Sequence, residues 1–202
     1  MRSRRFLHGL VAVTTVLLVA LVVLTLRQRR TAPLPVLGEV PEFSLTEASG
    51  NPLRRADLAG RVWVAGFIFT HCASTCPIMS RRMSELQAQL GSREGLMLVS
   101  FSVDPQRDTP AVLTEYARQY GADRQRWLFV TGDKAQIRRL ARDGFHLAAE
   151  DGTPEDDEPI LHSTHLVLVD RHGRIRGYYD GMDAAALGRL LHDARVLGKE
   201  SA

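Results

Sequence analysis

The hydrophobic positions of the chain follow three patterns: one long apolar stretch, short apolar runs, and apolar positions at helical spacing. Residues 6–26 are almost continuously apolar and are followed by Arg27, Arg29 and Arg30. A helix of that length is about long enough to cross the hydrocarbon layer of a membrane. Because no small-residue cleavage pattern follows the stretch, we expect an uncleaved membrane anchor, with a cleaved signal peptide as the alternative.

The segment after this stretch separates the anchor from one folded domain. Residues 27–39 contain prolines and no helical or strand periodicity, which is typical of a linker. We expect an N-terminus, a transmembrane anchor, a linker and a folded domain at residues 1–5, 6–26, 27–39 and 40–202. Arginines flank the apolar stretch equally on both sides, and the α-amino group favours a cytoplasmic N-terminus with the domain outside.

Short apolar runs alternate with helical patterns through the rest of the chain. We predict strands at 42–46, 62–69, 96–103, 127–130, 164–169 and 175–179, helices that begin at Pro77, Pro110 and Ala184, and a helix capped by Asp133. The last two strands are separated by a turn at 170–173, which is typical of a hairpin. This order predicts an α/β fold, a three-layer sandwich around a central mixed sheet.

The two cysteines of the chain, Cys72 and Cys76, lie at the turn between the strand 62–69 and the next predicted helix. A helix N-terminus favours the thiolate over the thiol. Since the thiolate is both the metal ligand and the nucleophile, the pair predicts a metal-binding or redox-active site. A cysteine pair at the first strand-to-helix junction of this order of elements is typical of a thioredoxin-like fold.

A third ligand would make the cysteine pair a specific metal site, and the chain contains seven histidines. His162 is the favoured candidate because it opens the strand 164–169, from where it can reach back over the cysteine turn. His165 would face the opposite side of that strand. His71 is disfavoured because, in an extended segment, its side chain points away from that of Cys72.

Two thiolates and one imidazole form a soft ligand set that suits Cu(I) and can also hold Cu(II). Structural zinc normally takes four protein ligands, so a closed zinc site is disfavoured in a chain with two cysteines. The net charge of +3 owes much to the arginines beside the anchor. The sequence contains no basic stripe interleaved with aromatic residues, so we predict no nucleic-acid binding.

Three segments carry recognisable motifs in order along the chain. Residues 69–77 read FTHCASTCP, residues 102–110 read SVDPQRDTP, and His162 with its next two residues precedes a strand and a glycine turn. These segments resemble the Cys-x-x-x-Cys-Pro, Asp-Pro-x-Arg-Asp-Thr and histidine motifs of the Sco/SenC family. That family comprises membrane-anchored copper chaperones for the Cu(A) centre of cytochrome c oxidase, and the likeness covers about residues 40–196.

The resemblance implies that Cys72, Cys76 and His162 bind one copper ion. It further implies a single-pass protein of the inner (cell) membrane whose domain faces the periplasm or another extracytoplasmic space. The implied partner is the copper-bearing subunit of cytochrome c oxidase, with other periplasmic copper chaperones or thiol reductants as further candidates. Such a metallochaperone is not an enzyme in the usual sense, because no catalytic turnover is required.

A thiol–disulfide reductase is the alternative function. In that case Cys72 and Cys76 are a redox-active pair that keeps the cysteines of the oxidase copper site reduced. A peroxidase is less favoured, because nothing in the sequence suggests peroxide selectivity.

The chain departs from the family pattern at one visible position. Family members usually have proline after the first cysteine, where this chain has Ala73. A less rigid turn would affect the redox potential of the pair more than its metal binding. Asp104 lies in the segment that approaches the site in the family, and we expect it either to hydrogen-bond around the ligands or simply to form a turn before Pro105.

Overall fold

The computed structural model describes residues 15, 17, 18, 33–89, 95–147 and 163–199. The chain divides into two compact units, Met1–Leu34 and Pro35–Ala202. In the first unit the described residues Thr15, Leu17 and Leu18 are helical. Among all residues described, no helix is both long and apolar enough to cross a bilayer. The anchor predicted at 6–26 lies almost entirely outside the described residues and stays a prediction.

The second unit is built on one mixed sheet, in which the described residues form eight strands. These are β1 (Gly38–Glu39), β2 (Ser44–Glu47), β3 (Pro52–Arg54), β4 (Val62–Ile68), β5 (Leu96–Ser102), β6 (Trp127–Thr131), β7 (His165–Val169) and β8 (Arg174–Asp180). Their order across the sheet is β1-β8-β7-β4-β5-β6-β2-β3. The central strands β4, β5 and β6 are parallel, and their neighbours on both sides are antiparallel. The predicted α/β fold with a mixed sheet is confirmed.

Helical segments lie against both faces of this sheet. They are α1 (Thr75–Gln89), α2 (Pro110–Gln119), α3 (Lys134–Arg139), a π-helical turn (Leu140–Gly144) and α4 (Ala184–Lys199), with a short 3-10 helix at Arg55–Leu58. Met83 of α1 lies over Gly66 on one face of β4. Phe145, after the π-helical turn, packs edge-on against Trp63 and Phe67 on the other face. All seven residues of β4 are therefore buried, as its continuous apolar pattern predicts.

The helix starts agree with the sequence except at α1. This helix begins at Thr75, so Pro77 is its third residue and not its first, as we predicted. The first four N–H groups of a helix have no partner within it, so proline is tolerated at either position. The predicted start of α2 is confirmed: Thr109 caps the helix and Pro110 is its first residue.

Two strands were missed by the sequence analysis. β1 lies in the segment 27–39, for which a linker was predicted, and β3 lies between the predicted strands at 42–46 and 62–69. Both strands contain two or three residues, which is too short for a period of two to be recognised.

A buried ion pair connects the β7–β8 hairpin to the start of the second unit. Asp170 and Arg176 are each 4% exposed, and Nη1 of Arg176 lies 2.8 Å from Oδ2 of Asp170. Nε of Arg176 donates to the carbonyl of Pro35 at 3.1 Å. Burial opposes ionisation of Asp170, but the backbone N–H of Arg174 and the side chains of Arg176 and Arg174 outweigh it and lower the pKa of Asp170.

We expect Arg176→Ala to lower the free energy of unfolding by about 3 kcal/mol, the lower end of the range for breaking a buried pair, since Arg174 still contacts Asp170. The measurement is urea unfolding followed by circular dichroism near neutral pH. Arg189→Ala is the matched control, because its pair with Asp183 is exposed and is worth about 0–1 kcal/mol.

The effect should also depend on pH. The pKa of Asp170 is lower in the folded state, so its contribution is complete above the unfolded value of about 4 and is lost as pH falls through the folded value. The difference between the wild-type protein and Arg176→Ala should therefore shrink on acidification. Equal losses of stability in Arg176→Ala and Arg189→Ala would contradict this account.

Candidate metal and dithiol site

The two cysteines lie where β4 ends and α1 begins. The N–H of Cys72 donates to the carbonyl of Phe69 at 3.3 Å, so residues 69–72 form a turn with Thr70 and His71 at its centre. Cys72 and Cys76 are 7% and 5% exposed, and both are free thiols. The segment is thus not extended, and the argument from an extended chain that led us to disfavour His71 does not apply.

The start of α1 favours the thiolate of Cys72. The N–H of Cys76 donates to Sγ of Cys72 at 3.4 Å, and the hydroxyls of Ser74 and Thr75 lie 3.6 and 3.7 Å from the same sulfur. Burial opposes ionisation of Cys72, but the backbone N–H groups of Cys76 and Ser74 outweigh it and lower the pKa to about 6.

Cys76 behaves in the opposite way. Burial, followed by its contact with the sulfur of Cys72, raises the pKa of Cys76 to about 12. The metal-free pair therefore holds one thiolate and one thiol at neutral pH. Such a pair provides a ready ligand or nucleophile at Cys72 and a bound proton at Cys76.

Asp108 ties the cysteine turn to the end of the neighbouring strand. Its buried carboxylate accepts the N–H and the hydroxyl of Thr70 at 3.1 and 2.5 Å, and the hydroxyl of Ser102 at 2.5 Å. Because β4 and β5 are parallel, with Ile68 opposite Ser102, both strands end at the same edge of the sheet. The sequence analysis missed this contact, although the motif at 102–110 contains Asp108.

Asp104 forms a turn, in agreement with one of its two expected roles. Its carbonyl accepts the N–H groups of Arg107 and Asp108 at 3.1 and 2.8 Å, and its own N–H donates to Ser102 Oγ at 3.1 Å. Its carboxylate lies 3.7 Å from Nη1 of Arg107. In the part of the chain that the structure describes, no hydrogen bond joins Asp104 to either cysteine.

The third predicted ligand, His162, lies outside the described residues. The strand that follows it, β7, runs antiparallel to β4, with Trp63 opposite Val169 and Ala65 opposite Val167. The start of β7 therefore lies at the edge of the sheet where β4 ends and the cysteine turn begins. Across residues 33–89, 95–147 and 163–199, no group of three His, Cys, Asp or Glu side chains is arranged to hold a metal ion.

Residues close to the start of β7 contact the first turns of α1. The N–H of Gly181 donates to the carbonyl of Thr164 at 2.8 Å. A Cβ at Gly181 would collide with the sulfur of Met79, which lies one helical turn after Cys76. Met79 is 2% exposed, as expected for a core methionine.

Comparison with known proteins identifies the family to which this chain belongs. A model of the SCO1/SenC family matches residues 35–189. The SCO1 protein homolog of Bacillus subtilis (strain 168) is 30% identical over 163 residues, which cover 80% of this chain and 83% of that protein. A candidate copper-binding protein of Stutzerimonas stutzeri is 34% identical over 148 residues, which cover 72% of this chain and 71% of that protein.

A solved structure of a related protein indicates the same family. BsSco, a member of the Sco family of cytochrome c oxidase assembly proteins in which a disulfide switch was identified, aligns with a TM-score of 0.73 and 29% identity. The alignment covers 84% of this chain and 100% of that chain. The fold is thus of the Sco, thioredoxin-like type, and the chain belongs to the SCO1/SenC family.

The two cysteines should react with iodoacetamide at different rates. In the reduced, metal-free protein, the alkylation rate of Cys72 should rise with a midpoint near pH 6, and at neutral pH Cys76 should react at least about tenfold more slowly. Peptide mapping by mass spectrometry measures each rate. Cys76→Ser is the matched control, because it keeps the backbone N–H that donates to Cys72 and should leave the midpoint nearly unchanged. A midpoint near pH 9 for Cys72 would refute the assignment.

Proposed function

We propose that this chain binds one copper ion through Cys72, Cys76 and His162 and delivers it to the copper-bearing subunit of cytochrome c oxidase. The observation that carries the proposal is the buried dithiol at the edge of the sheet where β4 ends and β7 begins. Membership of the SCO1/SenC family supports it, as do the candidate copper-binding protein of Stutzerimonas stutzeri and the membership of BsSco in a family of oxidase assembly proteins.

The β4–β7 register supports His162 as the third ligand. Because β4 and β7 are antiparallel, successive residues toward the end of β4 lie opposite successive residues toward the start of β7. The start of β7, which follows His162 in sequence, is therefore at the edge of the sheet where β4 ends and the cysteine turn begins. The contact of Gly181 with Met79 and Thr164 brings the same part of the chain against α1.

The chemistry of the pair suits copper as cargo. Cys72 offers a thiolate directly, whereas Cys76 must release its proton, so copper uptake is coupled to proton release. Two thiolates and one imidazole favour Cu(I) and leave room for an incoming ligand from the partner. Release then proceeds by exchange of ligands, with no change in the oxidation state of copper.

The proposal includes a membrane location. The apolar stretch at 6–26 is long enough for a single-pass anchor, and it would hold the copper site at the outer surface of the inner membrane. A domain that faces the periplasm is in a compartment where copper-binding dithiols need protection from oxidation. Burial of both sulfurs is consistent with that need.

A second candidate function, reduction of a disulfide, is favoured by the separation of the two thiol pKa values. The thiolate of Cys72 would attack a partner disulfide, form a mixed disulfide and release one partner thiolate. Cys76 would pass its proton to that leaving group and attack the sulfur of Cys72. The products are a Cys72–Cys76 disulfide and a partner dithiol whose second sulfur takes its proton from water, with two electrons transferred to the partner.

Removal of His162 separates the two functions. We expect His162→Ala to weaken Cu(I) binding by at least about tenfold, because the loss of a ligand should cost no less than the loss of a group that orients one. Competition with a chromogenic Cu(I) chelator measures the affinity. His165→Ala is the matched control, since His165 is an exposed histidine at the start of β7.

Titration of thiols in the same variants tests the dithiol by itself. His162→Ala should retain two titratable thiols after reduction and should still reduce a model disulfide. An unchanged copper affinity in His162→Ala would rule out the three-ligand site and leave disulfide reduction as the supported function.

A further inference from the structure

Thr70 connects the buried carboxylate of Asp108 to the exposed imidazole of His71. Its hydroxyl donates to Oδ1 of Asp108 at 2.5 Å, and Nδ1 of His71 lies 3.2 Å from the same hydroxyl oxygen. Oδ2 of Asp108 is occupied by the hydroxyl of Ser102 and the N–H of Thr70. Both carboxylate oxygens of Asp108 act as acceptors, and the Thr70 hydroxyl is the donor in its bond to Oδ1.

This chain of contacts determines the tautomer of His71. A threonine hydroxyl has a single proton, and that proton is used in the bond to Asp108. The oxygen of Thr70 can therefore only accept from His71, so Nδ1 carries the proton of the neutral ring. Nε2 is left with a free lone pair on a side chain that is exposed beside Cys72.

The arrangement is the one by which proteins prepare a histidine for a metal. A ligating histidine almost always donates its second ring N–H to a protein group or water, which orients the ring and makes the ligating nitrogen more basic. In this chain the acceptor is a hydroxyl that is itself held by a buried carboxylate. His71 is exposed, whereas its neighbour in sequence, Cys72, is buried, so the imidazole is accessible to an ion in solvent and the sulfur is largely not.

We propose that His71 is a transient copper ligand at the entrance of the dithiol site, an inference that rests on the proposed copper-binding function. During uptake, Nε2 of His71 binds the incoming ion, the thiolate of Cys72 then bonds to it, and Nε2 departs once the resident ligands are in place. Release follows the reverse order. The oxidation state of copper is constant, and each bond to copper forms before another breaks. Asp108 and Thr70 are positioning residues in this exchange.

The tautomer can be measured without copper. Long-range ¹H–¹⁵N correlation spectra of the metal-free, full-length protein should show His71 with its proton on Nδ1, whereas a neutral imidazole free in water prefers Nε2. Thr70→Val removes the acceptor and should return His71 to the Nε2–H form, and Thr70→Ser should retain the Nδ1–H form. An Nε2–H tautomer at His71 in the wild-type protein would overturn the inference.

Copper transfer tests the role of the lone pair. In stopped-flow transfer of Cu(I) from the loaded protein to a chelator, His71→Ala should slow transfer by about tenfold, while its equilibrium affinity should stay within about twofold. Thr70→Val should slow transfer by a smaller factor, and Thr70→Ser should restore it. His172→Ala is the matched control, because His172 is an exposed histidine in the β7–β8 turn and should transfer at the wild-type rate.

The outcomes separate the two proposals. An unchanged transfer rate in His71→Ala would overturn the role of His71 and leave the copper site intact. A tenfold loss of equilibrium affinity would also overturn it, because His71 would then be a resident ligand. If the wild-type protein failed to bind Cu(I) through its cysteines, the proposed function itself would fail.

Discussion

The pairing of β4 with both β5 and β7 determines where the chemistry of this protein can occur. The parallel partner β5 ends at the edge where β4 ends, and the antiparallel partner β7 starts there. Residues that are distant in sequence therefore meet at one edge: the cysteine turn after β4, Asp108 after β5, and the residues before β7. A one-residue shift in either register would turn the side chains of the shifted strand to the opposite face of the sheet.

Burial and ionisation act against each other at the cysteine turn. Removing a sulfur from water favours the thiol, and Cys76 follows that rule. Cys72 does not, because N–H groups at the start of α1 that have no partner within the helix donate to its sulfur. The same helix start therefore holds one thiolate and one thiol, on two cysteines that are separated by three residues. That difference suits stepwise copper binding and disulfide exchange equally well, so the third ligand decides between the two functions.

Buried contacts restrict the backbone of the cysteine turn, although no proline follows Cys72. Ala73 leaves the backbone of the turn less restricted than proline would. The restriction comes from Asp108, which holds the N–H and the hydroxyl of Thr70. The same hydroxyl reaches His71, so the contact that positions the dithiol also orients the imidazole beside it.

Local patterns predicted the central elements of the fold well. The apolar strands and the start of α2 follow from residues close together in sequence, and these predictions were confirmed. The contact between Thr70 and Asp108 spans 38 residues, and no local pattern reveals it. A turn at the cysteines was predicted, but the argument against His71 assumed an extended segment, which the turn at 69–72 contradicts. His162 was favoured for its position before the strand at 164–169 and then implied by the family resemblance, and its role stays a prediction.

The convergence of two sulfurs and one imidazole on a single ion is tested most directly by X-ray absorption spectroscopy at the copper edge. The full-length protein loaded with Cu(I) should show two sulfur scatterers and one nitrogen scatterer per copper. In a second sample, His71→Ala prevents that imidazole from binding copper in place of His162, and the nitrogen scatterer should persist there. Adding His162→Ala to that variant should remove it. A shell of sulfur alone in the wild-type protein, or a nitrogen that survives in the double variant, would contradict the three-ligand site.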